Sequence, residues 1–404
     1  MSNSFDFVPL PDLVDLKMGE TIIASQCTGD GVPVFSADKG LSPWNYSSKI
    51  KVINSRGALV VGARGTIGYP RLPNFDKFGA TQTTIVATPR SRAVDSAFLY
   101  YCLCSVDFST ITAQQAVPML TVADLRKVQV PRFSPPTQQK IASILQTIDR
   151  AIEQTAALID KYQQIKAGLM HDLFTRGIGP DGQLRPPREH APHLYQQTPI
   201  GWIPKEWEVR STLDIVEFPV GQVSPLTYPY IDMTLVAPDH VEKETGRLLL
   251  QQTAREQGAI SGKYVFKSGD IVYSKIRPYL RKAILADFEG ICSADMYPLR
   301  VKTGSNPVFI FGMILGDQFS RYAEAVSMRS GFPKINRSEF AGFSCGIPPG
   351  HEQEQFASVI RSADANIVRN EELLQKLQKQ KSGLMHDLLT GKVPVTLDPE
   401  PAHG

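Results

Sequence analysis

The sequence has little of what usually announces chemistry. Its five cysteines, Cys27, Cys102, Cys104, Cys292 and Cys345, are an odd number with no CxxC spacing. Neither a disulfide framework nor a zinc cage is indicated, and all five are expected to be reduced core residues. Long apolar runs are missing: VFIFGMIL at 308–315 is too short to cross a bilayer, so no membrane association is expected. The opening MSNSFDFVPLPDLVDL lacks a basic leader followed by an apolar stretch, so no secretory signal is expected and a cytoplasmic protein is the expectation. Excess charge is also missing. With 43 Lys and Arg against 40 Asp and Glu, the net charge of +3 does not by itself argue for a nucleic-acid partner. No HExxH, Walker loop, nucleophile elbow or GxGxxG in strand–helix context occurs, which disfavours a hydrolase, an NTPase or a dinucleotide enzyme.

What is present is repetition. KAGLMHDLFTRG at 166–177 returns as KSGLMHDLLTGK at 381–392. At the same offset of 215, residues 139–175 face 354–390 with fifteen identities in thirty-seven positions, among them Asp149/Asp364 and Leu158/Leu373. Earlier segments match at drifting offsets, as loops of unequal length require. SAFLYYCLCSVDF (96–108) faces PVFIFGMILGDQF (307–319) at 211, RGALVVGARGTIG (56–68) faces SGDIVYSKIRPYL (268–280) at 212, and PDLVDLKMG (11–19) faces LDIVEFPVG (213–221) at 202. The chain of 404 residues is long enough for two cores. The pattern predicts two tandem copies of one mixed α/β (α+β) domain, each followed by a long helix. Between the copies, GIGPDGQLRPPREHAPHLYQQTPIGWIPKEW is rich in Gly, Pro and isolated charges, and is expected to be a surface linker without core or regular structure.

Each long helix is expected to open after a proline pair, Pro135–Pro136 and Pro348–Pro349. Steps of three and four give the first an apolar seam of Leu145, Ile148, Ile152, Thr155, Ile159, Tyr162, Lys166, Leu169 and Leu173. The second runs Ile360, Ala363, Ile367, Asn370, Leu374, Leu377, Lys381, Leu384 and Leu388, in the same register. Heptad seams of this kind predict that the helices pair, antiparallel if the repeats are related by a twofold axis, with Thr155 and Asn370 as equivalent polar positions that fix register. The competing arrangement packs each helix on its own domain only. A paired helix of about 38 residues would be about 57 Å long and act as a ruler.

His171–Asp172 and His386–Asp387 invite a metal or acid–base reading. Neighbours on a helix point about 100° apart and do not converge on one ion, so interface or capping roles are preferred. The basic segments are more informative. KIRPYLRK supplies Lys275, Arg277, Arg281 and Lys282 around Tyr279, SMRSGFPKINRSEF supplies Arg329, Lys334 and Arg337, and ARGTIGYPR supplies Arg64 and Arg71. Arginine's fork suits guanine or phosphate and lysine suits phosphate, which makes these nine residues candidate DNA contacts.

The two GLMHDL phrases, the TRGIG after the first, TPIGWIPKEWEV at 198–209 and GDIVYSKIRP at 269–278 together resemble the DNA-specificity subunits of type I restriction-modification systems, over nearly the whole chain. The resemblance implies target recognition domains at 1–135 and 200–347, spacer helices at 136–177 and 348–392, a linker at 178–199 and a tail at 393–404. It further implies a bipartite double-stranded DNA target with an unread spacer, an antiparallel coiled coil that docks two methyltransferase subunits, and outer restriction/translocase subunits. Leu169, His171, Asp172, Leu384, His386 and Asp387 become candidate contacts to the methylases. The chain itself would be non-catalytic and hold no cofactor, and it lacks the Asn-Pro-Pro-aromatic run of an adenine methylase. S-adenosylmethionine would belong to the methylase, and ATP and Mg to the restriction partner. The phrase departs from the family in carrying His171 and His386 where glutamine is frequent. A specificity subunit of a related methylase–nuclease system and a protein-binding adaptor stand as alternatives.

Overall fold

The computed structural model describes residues 6–40, 42–112, 118–328 and 332–397. They divide into two units, residues 1–157 with 371–404, and residues 158–370.

In the first unit a four-stranded antiparallel sheet orders Val14–Met18, Thr84–Pro89, Leu59–Gly62 and Pro70–Arg71. Its central strands are buried at four consecutive positions each, 59–62 and 84–87, because both faces are covered. Leu59, Val61, Ile85 and Ala87 share a core with Phe98, Leu99 and Leu103 of helix Ser96–Cys104. The alternate residues Val60 and Val86 pack with Phe35 and Phe78 of a second sheet. That sheet contains one parallel pair, Val32–Phe35 beside Lys77–Ala80.

The second unit repeats this plan by itself. Its sheet orders Val216–Glu217, Met296–Val301, Ile271–Ser274 and Ala283–Leu285. Ile271 and Tyr273 face helix Pro307–Leu315, while Val272 and Ile284 face Phe266 and Cys292. The parallel pair recurs as Leu235–Val236 beside Gly290–Cys292. The offsets of 202, 211 and 212 read from the sequence are thus offsets between equivalent strands and helices.

The corner that launches each long helix is also duplicated. Gln138 accepts a hydrogen bond from the Asp95 N–H and donates to the Phe133 carbonyl. Gln353 accepts from the Asn306 N–H and donates to the Pro348 carbonyl. Asp95 and Asn306 are themselves the N-caps of the two equivalent helices, so one glutamine ties cap to corner in each copy. Where the first copy has Tyr101, the second has Gly312, and a Cβ there would press on Met170 and Phe174. Phe174, which stands where the first copy has Leu389, lies against Gly312.

The long helices are Pro135–Arg176 and Gly350–Leu389. In the first unit Asp149 pairs with Lys381 at 2.6 Å, and Leu145 shares a core with Leu388 and Leu389. In the second, Lys166 pairs with Asp364, and Phe174 stacks edge-on against Phe356 at 5.3 Å. Ascending one helix means descending the other in both places, so the pairing is antiparallel within each unit. All seam residues of both helices are buried or half-buried, and the positions between them are largely exposed. Packing on its own domain alone does not describe either helix. Thr155 and Asn370 do not reach across the seam: each side chain donates to its own helix, to the Ala151 and Asn366 carbonyls.

Two expectations need correction. The segment after the first helix does build regular structure and core, because distant partners satisfy its polar groups. It forms the hairpin Tyr195–Thr198 with Gly201–Pro204 and buries Ile178, Arg185, Tyr195, Ile203 and Trp207. The cysteines are all free, but Cys104 is exposed and Cys27 half-buried, and only the other three are core residues.

Candidate nucleic-acid interface

The basic loop of the second unit follows strand Ile271–Ser274. It is tied to a second segment by an antiparallel bridge between Ile276 and Lys334, with Arg277 N–H donating to the Pro333 carbonyl and Ile335 N–H to the Lys275 carbonyl. Lys275, Arg277, Phe332, Lys334 and Arg337 are thereby brought into one neighbourhood, although the sequence separates them by more than fifty positions.

Most of the cations in this neighbourhood already have protein partners. Arg281 donates to Asp317 at 2.7 Å and to the Ser320 hydroxyl at 2.9 Å, and Lys282 donates to the Pro238 carbonyl. Lys275 lies over Tyr297 at 5.5 Å, with Asp295 at 3.9 Å. Arg337 is exposed, with three rings near its guanidinium, Phe218, Tyr297 and Tyr264, at 5.1, 5.8 and 5.9 Å. Arg277 is exposed and sits 4.6 Å over the single ring of Phe332. Lys334 is exposed. Arg329 lies outside the described residues.

In the first unit Arg64 is exposed, its Nε donating to Met119 Sδ. Arg71 must be corrected. It is buried, paired with Asp38 at 3.1 Å, bonded to the Gly40 carbonyl and packed over Phe35. Burial pulls its pKa below the usual arginine value, with Asp38 opposing. It supports the loop from inside and is not available as a contact.

Sequence reasoning named Tyr279 but missed the other exposed rings. Tyr228, Tyr279 and Phe332 in the second unit, and Trp44 and Tyr46 in the first, all present large apolar surface to solvent. Aromatics in Pro- and Gly-rich stretches outside the helix and strand periodicities were the available signal. In the phrase shared by the helices, Leu169 packs on the core of the second unit and Leu384 on that of the first, beside Met170 and Met385. Both leucines are half-buried against these cores. His171 and His386 are exposed, Asp172 pairs with Arg176, and Asp387 lies 3.8 Å from Lys392. Among the described residues no group of three or more His, Cys, Asp and Glu is placed to hold a metal ion, and no helix is long and apolar enough to cross a membrane.

A duplicated α/β module, each copy packed on antiparallel helices and carrying exposed arginine and aromatic side chains on its loops, defines a protein with two recognition modules of one design. The chain belongs to the type I restriction modification DNA specificity domain family, whose model matches residues 3–164 and 204–379. It is 28% identical over 368 residues to the EcoDI type I restriction enzyme specificity subunit of Escherichia coli, covering 86% of this chain and 78% of that one. It is 23% identical to the MjaVIII specificity subunit of Methanocaldococcus jannaschii, over 78% and 74% of the two chains. The fold is shared with a type I restriction-modification S subunit from M. genitalium, at a TM-score of 0.60 and 16% identity over 98% of both chains. A chain from a structure of complex assembly in the type I R-M system matches at 0.55 and 13%, over 97% and 99%.

Proposed function

We propose that this chain is the DNA-specificity subunit of a type I restriction-modification complex. The observation that carries the reading is that the family model matches twice, once on each copy of the duplicated module. Each module reads one half of a bipartite double-stranded DNA target, and the bases between the halves go unread. The chain performs no bond chemistry of its own. Two methyltransferase subunits supply S-adenosylmethionine and adenine methylation, and restriction/translocase subunits supply ATP- and Mg-dependent cleavage. The exposed His171 and His386 sit on equivalent helix surfaces suited to two copies of one partner. With a net charge of only +3, the chain cannot neutralise many phosphates, so much of the salt-dependent affinity comes from the assembled complex.

The test is reconstitution. The chain is mixed with the methylase encoded beside its gene, and stoichiometry and methylated sequences are measured. Two methylases per chain and one bipartite methylated motif are expected. No complex and no sequence-selective methylation would exclude the reading.

A further inference from the structure

We propose that Arg277 is a base-reading residue of the second unit, recognising a guanine in its half-site, and that Phe332 is the residue that positions it. The proposal rests on the DNA-recognition reading above. It starts from the backbone. Arg277 adopts φ 49° and ψ 61°, a left-handed conformation that costs a side-chain-bearing residue energy. Glycine would occupy this position freely, yet the position carries a long, charged side chain, exposed at the loop surface.

The second argument is by comparison with its neighbours. Lys275, Arg281 and Lys282 each have a carboxylate or carbonyl acceptor, and Arg337, although exposed, lies within 6 Å of three rings and is shared among them. Arg277 makes no ion pair among the described residues, and only one face of its guanidinium is covered. The covering ring is held to it through the backbone, since Arg277 N–H donates to the carbonyl of Pro333, the residue after Phe332. Phe332 remains more than half exposed, so it is not there to fill a core. A guanidinium held 4.6 Å over one ring is restricted in the orientations it can take, while the N–H fork has no acceptor among the described residues. A restricted fork without an acceptor matches the O6 and N7 acceptors of guanine in the major groove, the commonest specific arginine contact. A phosphate contact would need the charge but not the restricted orientation.

The experiment uses the full chain assembled with its methylase, a randomised pool of duplexes, and sequencing of the methylated products to give base preference at every position of both half-sites. Arg277→Gly keeps the backbone conformation without strain and removes the fork. It is expected to lower the preference for guanine at one base pair of one half-site by about tenfold or more, with the other half-site unchanged. Arg277→Lys should lose the same preference while keeping total methylation nearer to wild type, because charge is retained and the fork is not. Phe332→Leu should weaken preference at that same position by a smaller factor. An even loss across all sequences, an unchanged profile, or a change at a position that is not guanine would overturn the proposal. Sequence-indifferent methylation by the wild-type complex would instead overturn the reading on which it rests.

Discussion

Glu352 gathers more donors than any other carboxylate described here. Its side chain is almost wholly buried, accepts two bonds from Arg185 at 2.7 and 3.0 Å, and takes further bonds from the Ile178 N–H and the Trp207 indole N–H. Burial would lower the Arg185 pKa, but its bonds to Glu352 outweigh this and raise it. Gly177, at φ 67°, lies so close to these groups that any Cβ would collide with them. The arrangement fastens the segment after the first long helix, the lead-in strand region and the start of the second long helix to one another, all within the second unit. Removing one partner of a buried pair leaves the other charge uncompensated, at a cost of about 3–5 kcal/mol. Glu352→Gln is expected to destabilise the second unit by about 3 kcal/mol, at the low end because Glu206 also lies 3.3 Å from Arg185. Denaturant unfolding followed by fluorescence of Trp202 and Trp207 would measure it, and an unchanged midpoint would show the cluster to be dispensable. This residue was not legible in the sequence. Arg185 and Glu352 are 167 positions apart, and nothing in GQLRPPREH says that its arginine has a buried acceptor. Composition alone therefore made the segment look like a linker.

At the level of elements the repeat explains itself through pairing. Lys166 and Lys381 are equivalent positions, as are Asp149 and Asp364, and the lysine of each helix meets the aspartate of the other. Duplication produces this reciprocity, since each unit holds the same lysine–aspartate pair between equivalent helix positions. The apolar part of the phrase follows the same rule: Met170 and Phe174 pack in the second unit, and Met385, Leu388 and Leu389 in the first. Identical words are used because they dock on equivalent surfaces of the duplicated module. The seam and the offsets could be read in advance because helix periodicity and shared identity are local properties of the string. The ion pairs could not, since they depend on antiparallel register. Both pairs are partly exposed, so each is worth about 1 kcal/mol or less. Asp149→Lys should cost more than Lys381→Asp, because the Tyr101 hydroxyl also donates to Asp149 at 2.7 Å. The double exchange, Asp149→Lys with Lys381→Asp, is expected to recover part of the loss. Strictly additive unfolding energies across the cycle would mean that the charges do not interact.

For the whole molecule, what the sequence repeats and what it varies separate two tasks. The strands, the cap–glutamine corner and the helix phrase recur, while the side chains on the loops differ, Arg277 in the second copy standing opposite Gly65 in the first. Scaffold residues obey periodicities that a single sequence displays. Recognition residues obey the surface of a partner that the sequence does not contain, which is why nine candidate cations could be named but not ranked. Asp38, Asp317 and Tyr297 did the ranking. The long helices contain 42 and 40 residues. If these helices set the unread spacer, then seven residues inserted at matching seam positions in both, adding about 10 Å of helix, should lengthen the spacer by about three base pairs. Both half-sites should keep their sequences, because no recognition loop has changed. Methylome sequencing of cells carrying the lengthened chain would show it. A spacer of unchanged length beside intact half-sites would mean that the helices do not measure the target, and altered half-sites would mean that the modules do not read DNA independently.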